Sequence, residues 1–140
     1  MRLTGVAVPF LATALVWLGA ASGLAAAQES LTRTSRQGPV TVTVTLIPPV
    51  EASRPLRVRV ALDTHSVALD DIGLDAAVAL RQPGGDIAPT AVEQAQGGGH
   101  HRRAVVVFPP QPVGDRIELV VTNVGGVVER SFRWELPLKP

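Results

Sequence analysis

The stretch Val-Thr-Val-Thr-Val-Thr-Leu, residues 40–46, alternates apolar and polar side chains without interruption. Successive side chains of a β-strand point to opposite faces, so a period of two predicts a strand with one buried and one solvent-facing side. A helix would instead place its apolar residues three or four positions apart. This stretch therefore predicts a β-strand and points to a β-rich fold.

Comparable runs recur along the rest of the chain. Seven strands are predicted, at residues 40–46, 56–63, 74–81, 87–93, 104–108, 117–122 and 131–136. Proline and glycine clusters such as Pro48-Pro49 and Pro83-Gly84-Gly85 separate them, as turns require. The run at 104–108 is apolar without alternation, which predicts burial on both faces. Together the runs predict an all-β domain over residues 39–137, a seven-stranded antiparallel immunoglobulin-like (Ig-like) β-sandwich.

Two side-chain markers of antibody domains are missing from the sequence. The chain contains neither cysteine nor tyrosine, so it has no inter-sheet disulfide and no tyrosine corner. Trp134 lies in the last predicted strand, whereas antibody domains carry their core tryptophan in the third. The prediction therefore concerns architecture, and stability must come from core burial alone.

The first 27 residues have the pattern of a secretory signal peptide. Arg2 precedes an apolar stretch at 6–18, and Ala25-Ala26-Ala27 offers the small residues that signal peptidases recognise. An uncleaved membrane anchor is the alternative, because residues 3–27 carry no charge. Polar residues 28–38 are predicted to form a flexible leader. We expect an exported protein, periplasmic or secreted, without a membrane span after cleavage.

The charge balance argues against nucleic acid as a partner. Removing Arg2 from 13 basic residues leaves 12, against 12 acidic residues, so the mature domain is formally neutral. A nucleic-acid-binding protein normally collects a basic excess on one face. Here arginines are interleaved with acids, and Arg102-Arg103 is only a pair.

The three histidines of the chain lie in two short polar motifs at strand edges. His65 belongs to the motif at 63–66, and His100 and His101 belong to Gly-Gly-Gly-His-His-Arg-Arg at 97–103. In the predicted sandwich, the B–C, D–E and F–G loops share one end. Strands B and E are antiparallel neighbours, so Asp63 or His65 is expected beside His101 or Arg103.

Three motifs together resemble a family of small uncharacterised exported bacterial proteins. They are Leu62-Asp63-Thr64-His65-Ser66, Gly98-Gly99-His100-His101-Arg102 and the stretch from Val124 to Trp134. The resemblance covers roughly residues 40–136. It implies a small exported Ig-like β-sandwich and implies no activity.

One functional interpretation of these motifs is a metal site. Imidazoles suit copper or zinc, so His65, His100 and His101 with Asp63 are the predicted ligands, and Asp70 or Asp71 are further carboxylates. Adjacent residues of a regular strand point to opposite faces. His100 and His101 can therefore face His65 together only if the chain is still in a loop there.

The other interpretation is a polar network that fixes the loops. Its predicted members are Thr64, Ser66, Asp70, Asp71, Arg102, Arg103 and Arg130. Half-buried polar groups need hydrogen-bond partners, so Thr64 and His65 are expected to bind loop carbonyls and amides, and His100, His101 and Arg102 to bind acids of the B–C loop. Arg130 shares the parity of Phe132 and Trp134, so either it pairs with Asp63 or Asp71 or the last strand begins at Ser131.

Enzymatic activity is not expected from this sequence. Neither Ser66 nor Ser131 lies in a nucleophile-elbow pattern, and the glycine-rich segments are not followed by the Lys-Ser/Thr of a phosphate loop. We therefore predict an accessory or binding module whose end loops contact an unknown protein partner. The alternative is a periplasmic copper- or zinc-handling protein.

Overall fold

The computed structural model describes residues 31–138, which form nine strands and one helical turn. The strands are β1 (Thr32–Ser35), β2 (Val40–Ile47), β3 (Leu56–Thr64), β4 (Val78–Gln82), β5 (Gly85–Ile87), β6 (Ala91–Gly98), β7 (His101–Phe108), β8 (Arg116–Val124) and β9 (Val127–Glu135). The helical turn α1 (Leu74–Ala77) precedes β4. The predicted signal peptide, residues 1–27, lies outside the described residues. Within 31–138 there is no helix of the length and apolarity needed to cross a bilayer.

The strands form two antiparallel sheets, which confirms the all-β prediction. One sheet has the order β1-β2-β3-β7-β6 and the other the order β5-β4-β8-β9. Inward side chains of both sheets join one hydrophobic core, in which Phe108 comes from the first sheet and Trp134 from the second. The arrangement is therefore sandwich-like, with every strand pair antiparallel.

Alternation decides which side chains enter this core. Val40, Val42 and Val44 of β2 are fully buried, whereas the threonines between them are partly exposed. Residues 104–108 of β7 are buried on both faces, as predicted. The Arg57–Glu93 ion pair, 2.8 Å between Nη2 and Oε2, joins β3 to β6 across β7 and covers its outward valines.

The strand count of seven is wrong, because β1 lies outside the predicted runs and one predicted run falls on two strands. β1 falls within the predicted leader, where Thr-Arg-Thr-Ser has no apolar alternation. It pairs with β2, and the Thr32 and Thr45 hydroxyls lie 3.0 Å apart across the pair. The predicted run at 87–93 is divided between β5 and β6 by residues 88–90.

The first half of the predicted strand at 74–81 is helical. Leu74 and Val78 are both buried, and positions four apart lie on one face of a helix. The same apolar residues also fit the period of two, so the pattern did not distinguish the two structures.

Candidate functional site

Four chain segments meet at one end of the domain, which we call the histidine end. They are residues 65–73 between β3 and α1, Gly99-His100 between β6 and β7, Gly125-Gly126 between β8 and β9, and residues 36–39 between β1 and β2. The register places Val40 opposite Thr64, and Asp63 opposite His101. These pairings bring the predicted motifs together at the same end.

His101 and Asp63 form a hydrogen-bonded pair on the outer face of the first sheet. They are direct cross-strand partners, which is one of the pairings that the predicted strand order allowed, and His101 Nδ1 lies 2.7 Å from Asp63 Oδ1. Their side chains are 72% and 51% exposed. When Nδ1 donates to the carboxylate, Nε2 is left as the ring nitrogen available to a ligand.

His100 connects the β6–β7 turn to the segment after β3. Its Nδ1 lies 3.1 Å from the Val67 carbonyl, and its own carbonyl accepts from the Thr64 amide at 3.0 Å. Gly97 shapes this turn with φ of +86°, and a Cβ there would lie 2.2 Å from the His101 carbonyl oxygen. A side chain at that position would break the turn that presents both histidines.

Arg102 and Asp70 hold the 65–73 segment in place. The Arg102 Nη1 donates to the carbonyls of Leu69 at 2.9 Å and Asp70 at 3.2 Å, and also to Ile72. The Asp70 carboxylate accepts from the Gly99 amide at 3.0 Å. The expectation that Arg102 binds acids of this loop is therefore wrong, because its partners are backbone carbonyls.

Thr64 ties two of the segments together. Its buried hydroxyl donates to the Pro39 carbonyl at 2.8 Å and lies 3.3 Å from the Ser66 amide, which donates to it. One side chain thus joins the β1–β2 turn to the start of the 65–73 segment.

Arg130 is buried at this end without an acidic partner in the described chain. It is 2% exposed, and its guanidinium donates to the carbonyls of Val124 at 2.8 Å, Gln37 at 2.6 Å and Val40 at 3.2 Å. Burial lowers the pKa of Arg130. Both sequence expectations are wrong here, since β9 begins at Val127 and no carboxylate of residues 31–138 binds this guanidinium.

Other predicted site residues lie apart from this network. His65 and Asp71 are exposed, and neither side chain makes a hydrogen bond to residues 31–138. Arg103 points away from the core on the outer face of the first sheet, where its Nε donates to Gln96 Oε1 at 3.2 Å.

Residues 31–138 show no cluster of metal-ligating side chains at the predicted metal site. Within the described part of the chain, no group of three or more His, Cys, Asp or Glu residues could hold a metal ion. Of the four predicted ligands, His101 and Asp63 are joined by a hydrogen bond. A copper or zinc site stays a prediction.

The comparisons with known proteins add no relative. No protein-family model, no curated protein and no solved structure matches this chain. The resemblance to small exported bacterial proteins therefore stays a prediction, and function has to be argued from the site itself.

Proposed function

We propose that the protein is an exported, non-enzymatic binding module that contacts a protein partner through its histidine end. The strand order supports an Ig-like assignment, because β2-β3-β7-β6 and β4-β8-β9 correspond to the A–B–E–D and C–F–G sheets of such domains. β1 and β5 are then additions at the sheet edges. Ig-like domains commonly bind partners through end loops, and that step is analogy at the level of fold.

The proposal rests on the hydrogen bonds by which buried or half-buried side chains fix the backbone of these loops. Arg102 and Arg130 each donate to three backbone carbonyls, and Thr64 joins two further backbone groups. A loop fixed before binding loses less conformational entropy when a partner docks. Several side chains near these hydrogen bonds are exposed and can contact another surface, namely His65, Asp71 and the His101–Asp63 pair.

Site-specific photo-crosslinking in cells that export the protein tests the proposal. A photoreactive residue would replace Ser66 or Asp71 at the histidine end, and Ala52 or Gly114 at the opposite end as matched exposed controls. We expect a discrete protein adduct from the first two positions only. Adducts restricted to the opposite end, or an absence of adducts at all four positions, would contradict the proposal.

The His101–Asp63 pair favours metal binding as the second candidate function. A carboxylate that fixes one ring nitrogen of a histidine is the usual support for a metal-ligating imidazole. In this arrangement His101 Nε2 would be the copper or zinc ligand, and Asp63 would orient it. We expect calorimetric titrations with Cu(II) and with Zn(II) to detect binding of at least one metal that His101→Gln abolishes and His65→Gln weakens less. Equal effects of the two variants, or no heat from either metal, would exclude this role.

A further inference from the structure

A second surface is the cleft between β1 and β9, which adjoins the histidine end at residues 36–37. It has a volume of about 370 Å³ and is lined by residues 33–37 and 130–133. β1 is the edge strand of one sheet and β9 is the edge strand of the other. The cleft therefore lies between two strand edges that no further strand of residues 31–138 covers.

The backbone of β9 offers hydrogen-bonding groups to this cleft. The Arg133 carbonyl accepts from Arg33 Nε at 3.1 Å, so it faces away from β8. Backbone groups alternate in direction along a strand, which places the N–H and C=O of Ser131 on the same side as those of Arg133. An extended chain lying along β9 could pair with them, as in β-strand addition.

Arginine side chains close the cleft at both ends. Arg33 reaches the Arg133 carbonyl at one end, and Arg130 reaches the Gln37 carbonyl at the other. Between these two contacts, no strand of residues 31–138 pairs with the outer side of residues 34–36 at the β1 edge. Three residues of extended chain span about 10 Å, so the cleft fits a short segment rather than a full strand.

The charges of the residues that line the cleft favour an acidic occupant. The lining contains four arginines and no aspartate or glutamate. Arg133 is paired with Glu118, but Arg130 binds only carbonyls, and the exposed Arg36 makes no ion pair with residues 31–138. Two buried polar atoms of the lining, Ser35 Oγ and Arg130 Nε, have no hydrogen-bond partner in the described structure.

We propose that this cleft binds a short, extended acidic segment of a partner protein. The main chain of that segment would lie along Ser131, and its carboxylates would lie near Arg36 and above the buried charge of Arg130. The chain's own N-terminal residues are a poor match, because Glu29 is the one acidic residue among positions 1–30. The proposed occupant is a partner protein rather than residues 1–30, and the site does not depend on the partner of the histidine-end loops.

Fluorescence anisotropy of the full chain with a labelled peptide of alternating valine and glutamate tests this site. We expect Arg36→Glu to weaken binding about tenfold or more, as loss of a charge-assisted contact predicts. Arg59→Glu is the matched control, since Arg59 is also exposed and makes no ion pair with the described residues but lies outside the cleft. The peptide with glutamine in place of glutamate should not bind.

Changes in amide chemical shifts on addition of the peptide show where it binds and distinguish specific binding from the alternatives. We expect changes at residues 34–36 and 131–133. Equal loss of affinity in both arginine variants would mean non-specific charge attraction and would overturn the proposal. Inorganic phosphate that displaces the peptide and reproduces its amide shifts would also overturn it in favour of a small-anion site. Shifts confined to residues 65–73 would overturn it while leaving the histidine-end proposal intact.

Discussion

At the residue scale, Arg130 is the one buried charged side chain among residues 31–138, so its guanidinium depends on hydrogen-bond partners. It joins the carbonyls of Gln37 and Val40 to that of Val124, and so connects the β1–β2 turn to the end of β8. A flexible ammonium cannot reproduce this planar fork, so lysine is not an equivalent residue here. The interaction is structural support for the histidine-end loops.

Arg130→Met tests this role. Methionine fills similar space but leaves three carbonyls without their donor, so we expect a loss of about 2–4 kcal/mol in the free energy of unfolding. Arg59→Met is the control and should change stability by less than about 0.5 kcal/mol, because its side chain is exposed. Urea denaturation followed by tryptophan fluorescence measures both. An Arg130→Met midpoint equal to that of the parent protein would show that the carbonyls find other donors.

At the element scale, strands with a strong period of two could be predicted and the others could not. β2, β3 and β9 alternate apolar and polar residues. The predicted neighbourhood of β3 and β7 limited the partners of Asp63 and His65 to His101 or Arg103, and the structure pairs Asp63 with His101. β1 was missed because a four-residue edge strand of Thr, Arg and Ser buries no apolar row. Its stability comes from pairing with β2 and from Trp134 Nε1, which donates to the Leu31 carbonyl at 3.0 Å.

The hydrogen-bond partners of Arg102 and Arg130 could not be predicted from the sequence, for a different reason. Arg102 and Arg130 bind backbone carbonyls, which every residue carries, so no side-chain pattern marks Leu69 or Gln37 as a partner. Parity did show that Arg130 faces the core. Pairing it with an acid was the wrong step, because carbonyls that converge at a sheet end can also solvate a buried cation.

At the scale of the whole molecule, charged groups are distributed over the outer faces of the sheets. The second sheet carries the densest network, in which Arg81 binds Glu129 at 2.7 Å and Asp86 at 3.1 Å, and Glu118 accepts from Ser131 and Arg133. Exposed ion pairs contribute little individually. Their combined effect appears as a dependence of stability on pH.

Acid should therefore destabilise the domain through the second sheet. The hydrogen bond from Arg81 holds the pKa of Glu129 below its ordinary value, and those from Ser131 and then Arg133 do the same for Glu118. A carboxyl whose folded pKa is depressed stabilises the fold above its unfolded pKa of about 4.3, and this contribution is lost as pH falls through the folded value. For that reason, we expect the midpoint temperature of thermal unfolding to decrease when the pH is lowered below about 4.3.

The double variant Glu118→Gln, Glu129→Gln should be less stable at neutral pH and should lose less stability on acidification. Amide side chains do not titrate, so the part of the pH dependence due to these two groups disappears. Glu135→Gln is the matched control, because Glu135 is exposed and makes no ion pair with residues 31–138. Its midpoint should follow the parent curve from neutral pH into acid. Parallel curves for the parent and the double variant would place the acid-sensitive groups elsewhere in the chain.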